Sequence, residues 1–498
     1  MTILKPTIAL LILVVISSII KAQPVLNLDL ESSISLAKEK SKTMLKLKQS
    51  LLGVGYDLKA ATSRFKTHID LDLVAPRFSK TVRQLEDSLG LHFYPVSQKV
   101  MNGYLTINQP LPSDGTLFIR SGMANITDYY YGTRSSQLTS VIGLSQPIGA
   151  FFGYNNIAMG YKQAKLNYDH SLKQLKRAEL DLVYNISQAF FTLLSYHERL
   201  NIARLTLQRQ KEAYEIAQNK FKAGLIREVE ALQMEVDLGD ALNSYDIANV
   251  NYLSQMTLFK EELGLELKDS IVIKHDLIYK AVNVDAEKAV SLALENRLEL
   301  KEDGINIELN NMEIKRRKAE GRINGNISFN YEFNGVNQGQ RSIPVETTLN
   351  NTWDDLKRRP GNLGAGLTIN IPLIDWGENR ARVRSAQATL NQNLIQMSSD
   401  KISIERDVRT TVNRLQSNLR RLQLLEKNVV IAEKSFEISR QRYSNGDIDS
   451  QSMALERERL NTAYVTRLDA FINYKLFLAD IMRKTFYDFE KDVSLLSM

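Results

Sequence analysis

Two hydrophobic periods share this chain. Leu238, Ala241, Tyr245, Ala248 and Tyr252 step by three and four residues, and Leu415, Leu419, Leu422, Val429, Ala432 and Phe436 form a similar stripe later. That spacing puts apolar side chains on one seam of an α-helix and predicts coiled-coil packing; alanines allow close approach, and mixed charges cover the flanks. Elsewhere the period is two. Ile69, Leu71 and Leu73 alternate with His68, Asp70 and Asp72. Ile327, Phe329, Tyr331 and Phe333 alternate with Asn326, Ser328, Asn330 and Glu332, and Leu367, Ile369, Ile371 and Leu373 with Thr368 and Asn370. Shorter versions occur at Leu105/Ile107, Leu117/Ile119 and Ile142/Leu144. Alternation predicts strands with one apolar and one polar face. In a barrel the apolar face meets lipid and the polar face lines water; a soluble sandwich alternates in the same way.

Glycines delimit the helical stretches. Gly153 to Gly224 is about 70 residues, or about 100 Å of helix at 1.5 Å per residue, and Gly377 to Gly446 is nearly equal. The arms Asp29–Phe65 and Leu225–Gly264 are about half as long, so stacked arms match one long helix.

The order of elements repeats. With a shift of 256, Asp29 falls on Asp285, and Glu31, Ser35, Leu36 and Ala37 fall on Glu287, Ser291, Leu292 and Ala293. With a shift of 222, Gly224 falls on Gly446, and Leu238, Ala241, Ala248 and Asn251-Tyr252 fall on Leu460, Ala463, Ala470 and Asn473-Tyr474. The chain therefore reads as two repeats, 23–270 and 280–498, each running helix, strands, long helical hairpin, joined by a charged stretch around Lys268 to Lys280.

Composition narrows the class. Among 498 residues there are 64 Lys+Arg, 57 Asp+Glu and no cysteine, and the net charge of +7 is spread along the chain. No block of like charge suits a nucleic-acid face. Lys5, the apolar run Pro6–Ile20 and the small residue Ala22 predict a signal peptide over 1–22. A membrane anchor is the other reading, but about 14 apolar residues fall short of the about 20 that a span needs. No later stretch is apolar enough to be a spanning helix. Without cysteine, disulfides and an N-terminal lipidated cysteine are excluded.

Aromatics mark the strand-to-helix junctions: Phe151 and Phe152 behind Pro147, and Trp376 behind Pro372. They suit a membrane interface, or ordinary core packing. Tyr129-Tyr130-Tyr131 is expected in an outer loop.

The turns Phe221-Lys222-Ala223-Gly224-Leu225 and Tyr443-Ser444-Asn445-Gly446-Asp447, the junctions Gln146-Pro147-Ile148…Gly153 and Ile371-Pro372-Leu373-Ile374-Asp375-Trp376-Gly377, and the closing run Ala470-Phe471-Ile472-Asn473-Tyr474-Lys475-Leu476 resemble the TolC-like outer-membrane efflux proteins over essentially the whole mature chain. The resemblance implies a mostly α fold with membrane β: antiparallel coiled-coil helices forming a periplasmic α-barrel, and four strands per copy of a twelve-stranded transmembrane β-barrel shared by a homotrimer. Physics separately demands an oligomer, since open strand edges in lipid leave backbone groups unsatisfied. The first half, with about 60 residues between Val74 and Gln137, holds an extra hairpin around Pro112-Ser113-Asp114-Gly115 and departs from the four-strand plan.

The resemblance further implies a passive duct across the outer membrane of a Gram-negative bacterium, with a periplasmic extension, no catalytic site and no cofactor. Its implied partners are outer-membrane lipid, a periplasmic adaptor (membrane fusion) protein and an inner-membrane pump of RND or ABC type. Drug efflux and type I protein secretion stay open, as does a soluble periplasmic coiled-coil scaffold. Glycine suits a tight helix–helix turn because it adopts positive φ. The resemblance puts these glycine turns at the periplasmic tips that meet the adaptor, so it implies Phe221, Gly224, Leu225, Tyr443 and Gly446 as docking-tip residues; a plain helix cap is the other reading. Where relatives carry two gating aspartates after the second tip, this chain has Ser452 and Leu455. Asp447, Asp449, Glu228 and Glu230 are candidates to replace them, with Arg227, Arg440 and Arg442 as pairing partners; solvated helix charges are the plainer reading.

Other chemistry is excluded. His68, His92, His170, His197 and His275 lack metal-ligand spacing. Gly53-Val54-Gly55-Tyr56-Asp57-Leu58 lacks the third glycine of a dinucleotide loop, and no phosphate loop or HExxH occurs. Asn125-Ile126-Thr127 fits a glycosylation tripeptide that is common by chance.

Overall fold

A computed structural model describes residues 25–87, 90–274 and 277–495; the expected signal peptide lies outside these. The chain forms two compact units, and each takes segments from both sequence repeats. One comprises residues up to Ser50, Lys173–Lys301 and Met397 onward, and the other Leu51–Leu172 and Glu302–Gln396.

The duplication is visible element by element. In the first half β1 (Leu26–Leu28) is followed by α1 (Leu30–Lys40), α2 (Lys42–Ser63), β2 (His68–Asp87), β3 (Gly90–Pro110), β4 (Thr116–Asp128), β5 (Thr133–Pro147), α3 (Asn156–Lys222) and α4 (Glu228–Leu263). The second half gives β6 (Ile271–Ile273), α5 (Ala286–Asn296), α6 (Leu298–Glu320), β7 (Asn324–Gln340), α7 (Val345–Arg358), β8 (Asn362–Asn370), α8 (Glu378–Asn445) and α9 (Ser450–Thr485). The long helices have 67 and 68 residues and their return helices 36 each, as the glycine spacing predicts.

Equivalent residues do equivalent work. Asp29 caps α1 by accepting from the Ser32 N–H at 2.8 Å, and Asp285 caps α5 by accepting from Lys288 N–H at 2.7 Å. Ala37 and Ala293 are both buried, and each carbonyl accepts the N–H that ends its helix, from Ser41 and Arg297. β1 and β6 pair in parallel, tying the first half to the charged connector. Around them Phe190, Leu194, Phe259, Leu263, Phe471 and Tyr474 form the main apolar core of their unit. The Tyr474 hydroxyl donates to the Lys280 carbonyl at 2.7 Å and accepts from Val282 N–H at 3.0 Å.

The other unit holds one antiparallel sheet in the order β2-β3-β4-β5-β7-β8. The departure from the four-strand plan expected in the first half is present: among the described residues this sheet has six strands, four from the first half and two from the second. The extra hairpin is part of the ladder because β3 and β4 pair along their length from Gln98↔Asp128 to Pro110↔Thr116. The register puts the alternating apolar residues of all six strands on one face. Ile69 pairs with Ile107, Ile107 with Ile119, Ile119 with Ile142, Ile142 with Tyr331 and Tyr331 with Leu363. The opposite face carries Asp70, Thr106, Arg120, Asn330 and Thr368, and there Phe118 lies over Gly143, where a Cβ would come within 2.4 Å of the ring. α7, which periodicity did not reveal, packs on β7 and β5. Its Asp355 carboxylate accepts from Val336 N–H at 2.8 Å, beyond the point where β8 pairing ends.

Candidate docking and gating tip

Both helical hairpins turn on the same backbone motif. Gly224 has φ 72° and Gly446 φ 90°, the left-handed region where a β-carbon is strained. Gly224 N–H donates to the Phe221 carbonyl at 2.9 Å and Leu225 N–H to Lys220 at 2.8 Å; at the other tip Gly446 N–H donates to Tyr443 at 3.2 Å and Asp447 N–H to Arg442 at 2.9 Å. The last carbonyls of each long helix are thereby satisfied without water. Apart from the chain neighbours, no atom of the described residues lies within 4 Å of where a Cβ would sit on either glycine, so conformation rather than crowding selects glycine.

The two turns meet. An open cleft of about 600 Å³ is lined by Lys220, Leu225, Ile226 and Glu230 from the first hairpin and by Tyr443 and Asp447 from the second, among others. Lys220 crosses it: its ammonium donates to the Tyr443 carbonyl and stands 4.6 Å from the centre of the Tyr443 ring. Lys220 was not among the sequence candidates. Its signal was present, because the repeat aligns Lys220 with Arg442, a basic residue in the last turn of each long helix.

Packing below the tips follows a strict heptad. In α8, Val408, Leu415, Leu422, Val429, Phe436 and Tyr443 are all buried, and Tyr443 is the last rung. In α3 the equivalents Ile186, Leu193, Leu200 and Leu207 are buried, Tyr214 is half-buried, and Phe221 is 39% exposed. Tyr443 is 4% exposed, and its hydroxyl has no hydrogen-bond partner among the described residues. Burial, with Glu230 nearby, pushes the Tyr443 phenol above its ordinary value.

The charged candidates divide. Asp449 caps α9 by accepting from Ser452 N–H at 2.9 Å, and Ser452 hydrogen bonds, from hydroxyl and backbone, hold its carboxyl below the ordinary carboxylate value. Ser452 is thus the capping partner of Asp449. Arg227 pairs with Glu230 at 3.2 Å. Arg440 pairs with Glu437 at 2.8 Å rather than with an acidic residue of the turn, because a helix brings residues three apart together. Glu228, Arg442 and Asp447 are exposed. Leu225 and Leu455 are exposed too.

The junction aromatics stand outside the core of their unit. Phe151 and Phe152 lie exposed in a short 3-10 turn after β5. Trp376 is 96% exposed and holds φ 51°, unusual for a bulky side chain. Asp375 supports that turn by accepting from Gly377 N–H at 2.9 Å and Asn379 N–H at 3.1 Å. Tyr129, Tyr130 and Tyr131 form the β4–β5 loop.

Known proteins share this architecture. A profile of the outer membrane efflux protein family matches residues 119–256 and 289–468, one stretch in each half. Nodulation protein T of Rhizobium leguminosarum bv. trifolii is 20% identical over 293 residues, a match covering 57% of this chain and 58% of that relative, under two thirds of its length. The outer membrane channel CmeC of Campylobacter jejuni superposes with a TM-score of 0.67 at 15% identity, over 92% of this chain and 85% of that one. The outer membrane protein VceC of Vibrio cholerae does so with a TM-score of 0.67 at 14% identity, over 92% and 95%.

Proposed function

The chain belongs to the outer membrane efflux protein family, and from that premise we propose that it is the outer-membrane exit duct of a tripartite efflux or export system in a Gram-negative bacterium. Family and fold are those of channels rather than enzymes. The observation that carries the reading is the six-stranded sheet with one face apolar and exposed: Ile69, Leu71, Leu73, Phe329, Leu363 and Leu367 all stand in the open. A soluble scaffold has no use for such a face, whereas lipid covers it. Among the described residues the edges β2 and β8 lack a neighbour on their outer sides, which in lipid requires further copies. The helices ask for copies as well. Val229, Val236 and Val250 with Leu232 and Leu253 keep heptad spacing along α4 and are exposed. Three copies, the number implied by the resemblance, close both barrels.

In this reading the energy comes from an inner-membrane pump, and an adaptor docks on the tips through the exposed Phe221 and Leu225 and the turns at Gly224 and Gly446, while Tyr443, expected as a contact, is buried and supports the second turn from within. Asp447, which lines the cleft, and the exposed Glu228 are our candidates for a cation-attracting ring, with Asp449 and Glu230 at the same cleft. Phe151, Phe152 and Trp376 anchor the junctions at the membrane interface.

Fractionation tests the core of this. The mature protein is expected to resist a carbonate wash of outer membranes and to conduct in planar bilayers; release by carbonate would remove the channel reading. Asp447→Asn with Asp449→Asn is expected to weaken cation block or cation preference, and an unchanged current would remove those residues from the gate. A drug pump or a secretion ATPase encoded beside this chain separates drug efflux from protein secretion.

A further inference from the structure

The sheet carries a consequence for the membrane duct. We propose that each copy contributes all six strands to the barrel, so that β2 of one copy pairs with β8 of the next and three copies close an eighteen-stranded ring. The inference rests on the oligomeric-channel reading above.

Four observations support it. The ladder is continuous from β2 to β8, with a single register irregularity, a bulge between Val74 and Arg77. The bulge sets two residues against one and so keeps Leu73 before it and Phe78 after it on the same face. The apolar face extends to both edges, through Leu71 on β2 and Leu367 on β8. If the β2–β3 hairpin stood outside the ring, its apolar residues would have no lipid to meet.

The extra turn is also built into the rim. Asp114 accepts from Asn156 N–H at 3.1 Å and Ile157 N–H at 3.2 Å at the start of α3. Asn155 donates to the Pro112 carbonyl at 2.7 Å, and Gln146 donates to the Ser113 carbonyl at 2.7 Å. Gly115 sits where a Cβ would strike Gln146 at 2.4 Å. The β3–β4 turn is therefore the N-terminal cap of the long helix and not a loose insertion.

Finally, the directions fit. Strands alternate in direction across the sheet, and six is even, so β8 meets a neighbour's β2 antiparallel. Face matching adds a rule. Ile69, Leu71 and Leu73 face the same way as Leu363, Leu367 and Ile369, so up to the bulge odd-numbered residues of β2 must oppose odd-numbered residues of β8 across the seam. Barrel diameter grows roughly linearly with strand number, so this ring is about one and a half times as wide as a twelve-stranded one. Discrimination of cargo by size then falls to the helical segments.

Because the chain has no cysteine, introduced pairs report without background. Within one copy Leu71 and Leu367 lie on opposite edges of the sheet, five strand spacings or about 24 Å apart, so a disulfide between them joins two copies. Full-length protein carrying Leu71→Cys and Leu367→Cys is expected, on oxidation in isolated outer membranes, to give covalent ladders ending at the trimer. Ile119→Cys with Leu367→Cys is expected to stay monomeric on denaturing gels. The reverse result, cross-linking through Ile119, would mean that β4 is the seam and the ring has twelve strands, which overturns the proposal while leaving the channel reading intact. Absence of cross-links at both pairs in a protein that no longer purifies as an oligomer would overturn both. Should the cysteine variants fail to assemble, electron microscopy of the unmodified protein in nanodiscs counts the strands directly: eighteen supports the proposal and twelve ends it.

Discussion

At the first tip a heptad ladder from Ile186 through Tyr214 runs out into an exposed Phe221; at the second, the equivalent ladder from Val408 through Phe436 ends on a Tyr443 that is still buried. The turns that follow are the same in backbone, down to the positive φ of Gly224 and Gly446 and the two hydrogen bonds that close each helix. What differs is who covers the aromatic ring. Tyr443 lies in a cluster with Met234, Phe436, Met453 and Leu460, and Lys220 reaches it from the other hairpin. Phe221 sits outside that cluster. Duplication thus copied a turn, and packing then gave its two copies separate duties: the second tip is a strut and the first an offered surface. The next helices show the same split. α9 starts on an Asp449 side-chain cap, whereas α4 starts at Arg227 with no side-chain cap.

The strongest way to break this contrast is to truncate both rings. Tyr443→Ala empties a buried aromatic site and is expected to cost about 3–5 kcal/mol. Phe221→Ala is expected to change stability by less than about 0.5 kcal/mol, as exposed positions do. Denaturant melts of the detergent-solubilised protein read both; export falling in Phe221→Ala with stability kept would identify the offered surface. Equal losses would refute the division of duties. Tyr443→Phe sharpens the test, because its hydroxyl is buried without a partner, so the change is expected to be neutral or slightly stabilising.

Valine at the glycines comes next. Gly224→Val and Gly446→Val each force a β-branched residue into left-handed geometry, at about 1–2 kcal/mol. The two costs should agree because the turns are alike and open. Replacing both glycines should abolish export while the assembly still reaches the membrane; normal export would count against docking at the tips.

The smallest effect concerns the caps. Asp449's carboxyl is held below the ordinary 3.8, so its stabilisation is present above that value and fades as the pH falls through the lowered one. Limited proteolysis of the second tip should therefore quicken in acid, more than that of the first, where no such cap exists. Asp449→Asn keeps the capping oxygen and should remove this pH dependence; its persistence would assign the effect elsewhere.

Much of the architecture was legible in order. Repeated Asp, Gly and Asn-Tyr positions exposed the duplication, and glycine spacing bounded the long helices to within three residues at their ends. Both are local: a helix stops where glycine takes positive φ, and an aspartate caps the helix it precedes. The tip candidates were legible for the same reason, although Lys220 was missed because its partner carbonyl lies in the other half. The strand count was not. Alternation marked β3, β4 and β5 only weakly, since their lipid face carries Ser121, Ser140 and Gly103 among the apolar residues, and only pairing gathers these into one ladder. α7 stayed hidden because threonines, not aliphatic residues, make its buried side: Thr348 and Thr352.

By itself, then, the chain determined its periods, its duplication and the two glycine turns, because each depends on residues a few positions apart. Tertiary structure alone decided that β2 to β8 form one six-stranded sheet, that Asp114 caps a helix 42 residues onward, and that Tyr443 is buried where Phe221 is exposed. Each of these turns on which distant segment arrives beside a residue, and two aromatic rings at equivalent heptad positions carry no local mark of which will be covered.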